Sequence, residues 1–87
     1  MNPFKNISND RIIYESEYFI LVRDIYPVSL GHTLIISKKE TNDYFSLSTE
    51  EKQELPAAMD IAKKLIEAEY SPDGYNIGMN CGEVAGQ

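Results

Sequence analysis

The stretch SLSTEEKQELPAAMDIAKKLIEAEY, residues 46–70, most constrains what this chain can fold into. Leu55, Met59, Ala62 and Ile66 recur every three to four residues, and Ala58 and Leu65 widen the stripe, which is the 3.6-residue repeat of a helix with one apolar face. A single such helix has no second helix to lie against, so the rest of the chain must supply an apolar surface of another kind. Ser48-Thr49-Glu50-Glu51 marks the start: the Ser48 hydroxyl and the Glu51 carboxylate can each take one backbone N–H that the first turn leaves without a partner. Pro56 lacks an N–H, so a kink or a broken first turn is expected unless the helix begins there.

The other surface is a sheet. RIIYE and YFILVRD, residues 11–15 and 18–24, are β-rich runs separated by Ser16-Glu17 and predict a hairpin. In the second run Phe19, Leu21 and Arg23 alternate with Ile20, Val22 and Asp24, so both faces of the sheet receive side chains. Pro27 and Gly31 punctuate a loop, and residues 32–38 follow as a third strand with His32 at its mouth. After the helix, SPDG is a turn and YNIGMN, residues 75–80, predicts a fourth strand, with Gly78 marking a bulge or a close backbone contact. Gly82 and Gly86 can adopt positive φ in the closing loop. The order β-β-β-α-β predicts one α+β domain over residues 1–87, with the helix covering one face of an antiparallel sheet.

Composition narrows the partners. Eight Lys and Arg stand against fourteen Asp and Glu, a net charge of −6, which repels a nucleic-acid backbone; Lys38-Lys39 is too short to form a basic patch. No run reaches the ~18 apolar residues of a membrane span, and MNPFKNISND has no secretory apolar core, so a cytoplasmic protein without membrane contact is expected. One histidine and one cysteine fall short of a metal site, and no cofactor is implied. Cys81 as a nucleophile paired with His32 lacks a third, orienting group and is set aside.

Two linked stretches, DIYPVSLGHTLIISKKE and PDGYNIGMNCGEVAGQ, resemble the histidine triad (HIT) family of nucleotide-processing proteins over nearly the whole chain. They share its Asp-Ile-x-Pro turn, its Gly-His before an aliphatic strand, and its Asn-x-Gly leading to Ala-Gly-Gln. The resemblance implies a HIT-like fold, and implies that a strand carrying His-x-His-x-His follows, with a middle histidine that attacks the α-phosphate of a bound nucleotide. The sequence reaches Gln87 without that motif, so a domain truncated at its C-terminal end is expected, with the nucleophile absent and His32 auxiliary at most. A zinc-binding Cys-x-x-Cys found in some relatives is replaced by Asn2-Pro3-Phe4-Lys5, and Leu30, Ser37 and Glu40 also depart from the family pattern.

On the same resemblance Asp24 corresponds to the acid that bonds ribose hydroxyls, Val22 and Ile25 to apolar residues beside base and ribose, and Asn80, Gly86 and Gln87 to groups near the phosphates. Each has a plainer role open to it: Asp24 as a strand-end cap, Val22 and Ile25 as core, the others as loop residues, His32 as a strand-end histidine with one backbone bond. The expectation is a HIT-family nucleotide-binding protein related to nucleotide-phosphoramidate and dinucleoside-polyphosphate hydrolases, inactive as 87 residues, weakly binding a purine nucleotide or conjugate, and homodimeric. Two alternatives stand beside it: a non-catalytic binding or oligomeric module, and a decayed gene product. Whether the chain is itself an enzyme stays open at this point.

Overall fold

The computed structural model describes residues 7–24, 31–39, 41 and 43–82. Strand β1, Ile12–Glu15, turns through Ser16, Glu17 and Tyr18 into β2, Phe19–Arg23, and β3, Thr33–Ser37, lies on the far side of β2. Both pairings are antiparallel, so the sheet order is β1-β2-β3. β2 and β3 are shorter than the sequence runs by one residue at each end, and β1 by one residue at its start. The ladder nonetheless continues past β2 and β3, with Asp24 N–H donating to the His32 carbonyl (3.0 Å) and Lys38 N–H to that of Tyr18 (2.9 Å).

β2 is the middle strand, and Phe19, Ile20, Leu21 and Val22 are all buried, as an apolar run covered on both faces requires. The β1–β2 register slips between Ile12, opposite Val22, and Tyr14, opposite Leu21. This bulge has a packing consequence: Ile13 and Tyr14, though adjacent, both reach the core cluster of Leu21, Ala58 and Ala62.

Helix α1, Thr49–Glu69, begins at the expected cap: Ser48 Oγ accepts from Glu51 N–H (3.1 Å) and Glu51 Oε1 from Ser48 N–H (2.7 Å). Ala58 and Ala62 meet Leu21, and their small size lets the helix axis approach the sheet while Ile61 and Leu65 fill the flanks. The helix runs unbroken through Pro56, contrary to the expected broken turn or later start. Pro56 lies on the exposed side, where solvent can bond the carbonyl that its missing N–H leaves unpaired. The carboxylate of Glu54, one turn into the helix, reaches the hairpin turn: Oε2 accepts from Ser16 Oγ (2.6 Å) and Tyr18 N–H (3.0 Å).

The α+β arrangement of antiparallel sheet and one main helix is as expected; the fourth strand is not. Residues 75–80 form no ladder, and Tyr75, Ile77 and Met79 are exposed. Alternating side chains favour an extended backbone, but a strand exists only where a neighbour takes its N–H and C=O groups, and none of the three described strands pairs with this segment. Gly78 accordingly has open space around it, in place of the close contact expected. Gly82 does take positive φ, +83°.

Candidate functional site

The β2–β3 ladder decides which of the singled-out side chains meet. Register places Arg23 opposite Thr33, and the next pair outward is Asp24 and His32, joined through their backbones. Because side chains alternate along a strand, Asp24 belongs to the sheet face opposite that of Leu21 and Arg23, hence away from α1. His32 Nδ1 lies 3.4 Å from Asp24 Oδ2, long for a neutral hydrogen bond and short enough for an ion pair when the imidazole is protonated. The Asp24 side chain keeps 23% and that of His32 33% of its exposure, so both are shielded yet reachable. A half-shielded carboxylate of this kind can accept two hydroxyl hydrogens from a vicinal diol; an imidazole beside it can carry a positive charge or a proton.

Val22, two residues before Asp24, is wholly buried in the central strand, where packing alone accounts for it. Asn80 is exposed on the segment outside the sheet. Ile25, Gly86 and Gln87 lie outside the described residues, as do Leu30 and Glu40. Among the described residues no three His, Cys, Asp or Glu side chains gather so as to hold a metal ion, and no helix is long and apolar enough to cross a membrane.

Sequence reasoning missed Arg23. It shares the helix-facing phase of Phe19 and Leu21, so a charge is carried beneath the C-terminal end of α1. Its Nη1 donates to Thr33 Oγ1, and its Nη2 lies 2.9 Å from Glu69 Oε1 and 3.4 Å from the Leu65 carbonyl. The guanidinium stands 5.7 Å from the centroid of the Tyr70 ring, while buried Nε has no hydrogen-bond partner among the described residues. Thr33 in turn donates to the Gly31 carbonyl (2.7 Å). Gly31, at φ +83°, leaves room for Tyr70: a Cβ there would stand 3.1 Å from the ring. The signal in the sequence was a single cation in the inward phase of an otherwise apolar strand.

A second missed group anchors the extended segment. Tyr75 Oη donates to Glu67 Oε2 (3.0 Å), which also pairs with Lys63 (3.0 Å). The hydrogen bond from Lys63, then that from Tyr75, holds the Glu67 carboxyl below its ordinary range; the same bond raises Lys63. Burial first, then the Glu67 bond, pushes the Tyr75 phenol up.

Residues 5–87 match the family described as the HIT domain. The chain belongs to the HIT family. It is 37% identical over 78 residues to an uncharacterized HIT-like protein of Mycoplasma genitalium, a match that covers 86% of this chain and 53% of that one. Protein hit of Bacillus subtilis is 33% identical over 75 residues, covering 86% and 52%. An AP-4-A phosphorylase of Mycobacterium tuberculosis is 27% identical over 75 residues, covering 86% and 38%. This HIT chain thus spans about half the length of the curated relatives it matches. Within its HIT domain the described sheet joins Asp24 to His32 and leaves Asn80 outside the ladder.

Proposed function

We propose that this HIT-family chain binds a purine nucleotide or nucleotide conjugate by accepting the ribose hydroxyls at Asp24, with His32 beside them. The observation that carries this reading is the Asp24–His32 pair, half-shielded at one end of the sheet and on the face away from the helix. The name of the mycobacterial relative, AP-4-A phosphorylase, supports adenine nucleotides joined through phosphates as the substrate class. A net charge of −6 favours such small ligands over nucleic acid. Asn80, Gly86 and Gln87 belong to the phosphate side of the proposed site, and Val22 and Ile25 to its apolar wall. The chain is read as a cytoplasmic homodimer.

The 87 residues contain one histidine and no His-x-His-x-His, so on this reading the chain by itself does not form a nucleotidyl-histidine, and hydrolysis stays at background. Calorimetry with AMP is expected to give a Kd weaker than about 100 μM, lost in Asp24→Ala. Equal heats for both proteins overturn the ribose contact. Release of AMP from adenosine phosphoramidate or diadenosine tetraphosphate, abolished by His32→Ala, would overturn the inactive reading and make His32 the nucleophile.

The coverage of about half of the Mycoplasma genitalium and Bacillus subtilis relatives favours a second reading, in which these residues are the N-terminal portion of a HIT hydrolase or transferase. The nucleotide sequence past codon 87 and the intact mass of the native protein separate the two readings.

A further inference from the structure

We infer that Arg23 is a positioning residue for the Asp24–His32 pair, acting through Thr33 and the end of α1. The inference rests on the proposed nucleotide site only for its functional consequence; the positioning itself follows from geometry. Among the described residues the pair occupies the last rung of the β2–β3 ladder, and the ends of a ladder are where backbone pairing frays most readily.

Arg23 holds both sides of that rung. On the β2 side it is the residue before Asp24, its carbonyl accepts from Arg11 Nη2 (3.1 Å), and its guanidinium is fixed under α1 by Glu69, the Leu65 carbonyl and the Tyr70 ring. On the β3 side the guanidinium donates to the Thr33 hydroxyl, which donates to the Gly31 carbonyl, part of the peptide that leads directly into His32. Tyr70 closes the arrangement by packing where Gly31 has no side chain, with Ile66 3.4 Å from the same position. From Arg23, held at the end of the helix, two hydrogen bonds therefore run through Thr33 to the peptide that leads into His32, while its own backbone leads into Asp24. The planar fork of Arg reaches Thr33, Leu65 and Glu69 at once, which a lysine ammonium cannot reproduce.

The test reads backbone opening at the rung without any ligand. Hydrogen exchange of the Asp24 amide is compared with that of Ile20 and Ile36, an interior pair of the same ladder, in wild type, Arg23→Met and Thr33→Val. Arg23→Met keeps the apolar stem; Thr33→Val keeps the strand-favouring shape and removes only the relay hydroxyl, so it serves if the Arg23 variant folds poorly. The expected result in both is exchange at Asp24 faster by about tenfold or more, since both lose the bond between the charged guanidinium and the Thr33 hydroxyl, with Ile20 and Ile36 unchanged. Arg23→Lys is expected to restore only part of the protection. His32 is the only histidine in the sequence, so its ring proton signals are unambiguous and are expected to broaden in the same variants. Equal acceleration at all three amides overturns the inference, since Arg23 is then a general staple between helix and sheet; so does no change at Asp24. AMP titrations of the same proteins keep the two readings apart. Selective opening at Asp24, together with AMP binding that survives Asp24→Ala, supports the positioning role and overturns the ribose contact.

Discussion

Glu54 provides the sharpest test of how the helix is joined to the sheet. One carboxylate oxygen takes both the Ser16 hydroxyl, at 2.6 Å, and the Tyr18 N–H, at 3.0 Å, so the helix completes the hydrogen bonding of the β1–β2 turn. The Ser16 hydroxyl has one hydrogen, and its other acceptor, the Phe19 carbonyl, lies at 3.4 Å, so the carboxylate holds the proton in preference. In Glu54→Ala the hydroxyl turns back to Phe19 and recovers part of its bond, whereas Tyr18 N–H has only water. Two hydrogen bonds to a charged group are worth about 1.5–3 kcal/mol each when removed from a buried site. The groups here are half-buried, and one of the two has a substitute, so the net loss expected is about 1–2 kcal/mol. Urea unfolding followed through the six tyrosines, in a chain without tryptophan, gives the value directly. A cycle with Ser16→Ala isolates the shared bond, with a coupling of about 1 kcal/mol expected. A Glu54→Ala protein as stable as wild type, or an additive cycle, refutes the idea that the helix closes this turn.

Three further outcomes are expected. Ser48→Ala removes half of the capping box and is expected to lower stability by about 1 kcal/mol in the same urea assay, with Glu51→Ala non-additive to it. Glu67 has its pKa lowered on folding, so the contribution of its bonds is present above the unfolded carboxylate value and is lost as pH falls through the lower folded one; the Tyr75 ring signals are expected to move in that acid range, and Glu67→Gln to produce the same change at neutral pH. A homodimer is expected by light scattering across a dilution series, supported by the exposed Tyr75, Ile77 and Met79 and by β3 having one strand neighbour among the described residues; a cooperatively folded monomer with protected amides at residues 75–80 refutes it.

What was legible in the sequence was what depends on near neighbours along the chain. The hairpin follows from two β-rich runs with a two-residue polar break, the third strand from an aliphatic run after Gly31, and the helix start from Ser48 and Glu51, because pleat, turn and cap are set within a few residues. Pro56 misled because its cost depends on which side of the helix it occupies, and that is settled by where the sheet lies. The segment 75–80 misled in the opposite sense: its alternation is real, but alternation does not say which strand will pair with it, and none of the described strands does.

Asp24 and His32 were singled out eight residues apart, and only the ladder register turned them into one rung. The same register explains why Arg23 escaped notice. Read along the chain it is one more charge at the end of a strand, a place where charges are usually solvated. Read across the sheet it lies beneath the last turn of α1, where Leu65 presents a carbonyl, Glu69 a carboxylate and Tyr70 a ring. A charge half-buried among apolar side chains is tolerated only when such partners are already fixed, and fixing them ties the helix end to the strand ends. The ribose contact proposed for Asp24 and the packing of α1 are therefore not independent features: a substitution at Glu69 or Tyr70, on the face away from the proposed ligand, acts on Asp24 through the guanidinium one residue before it.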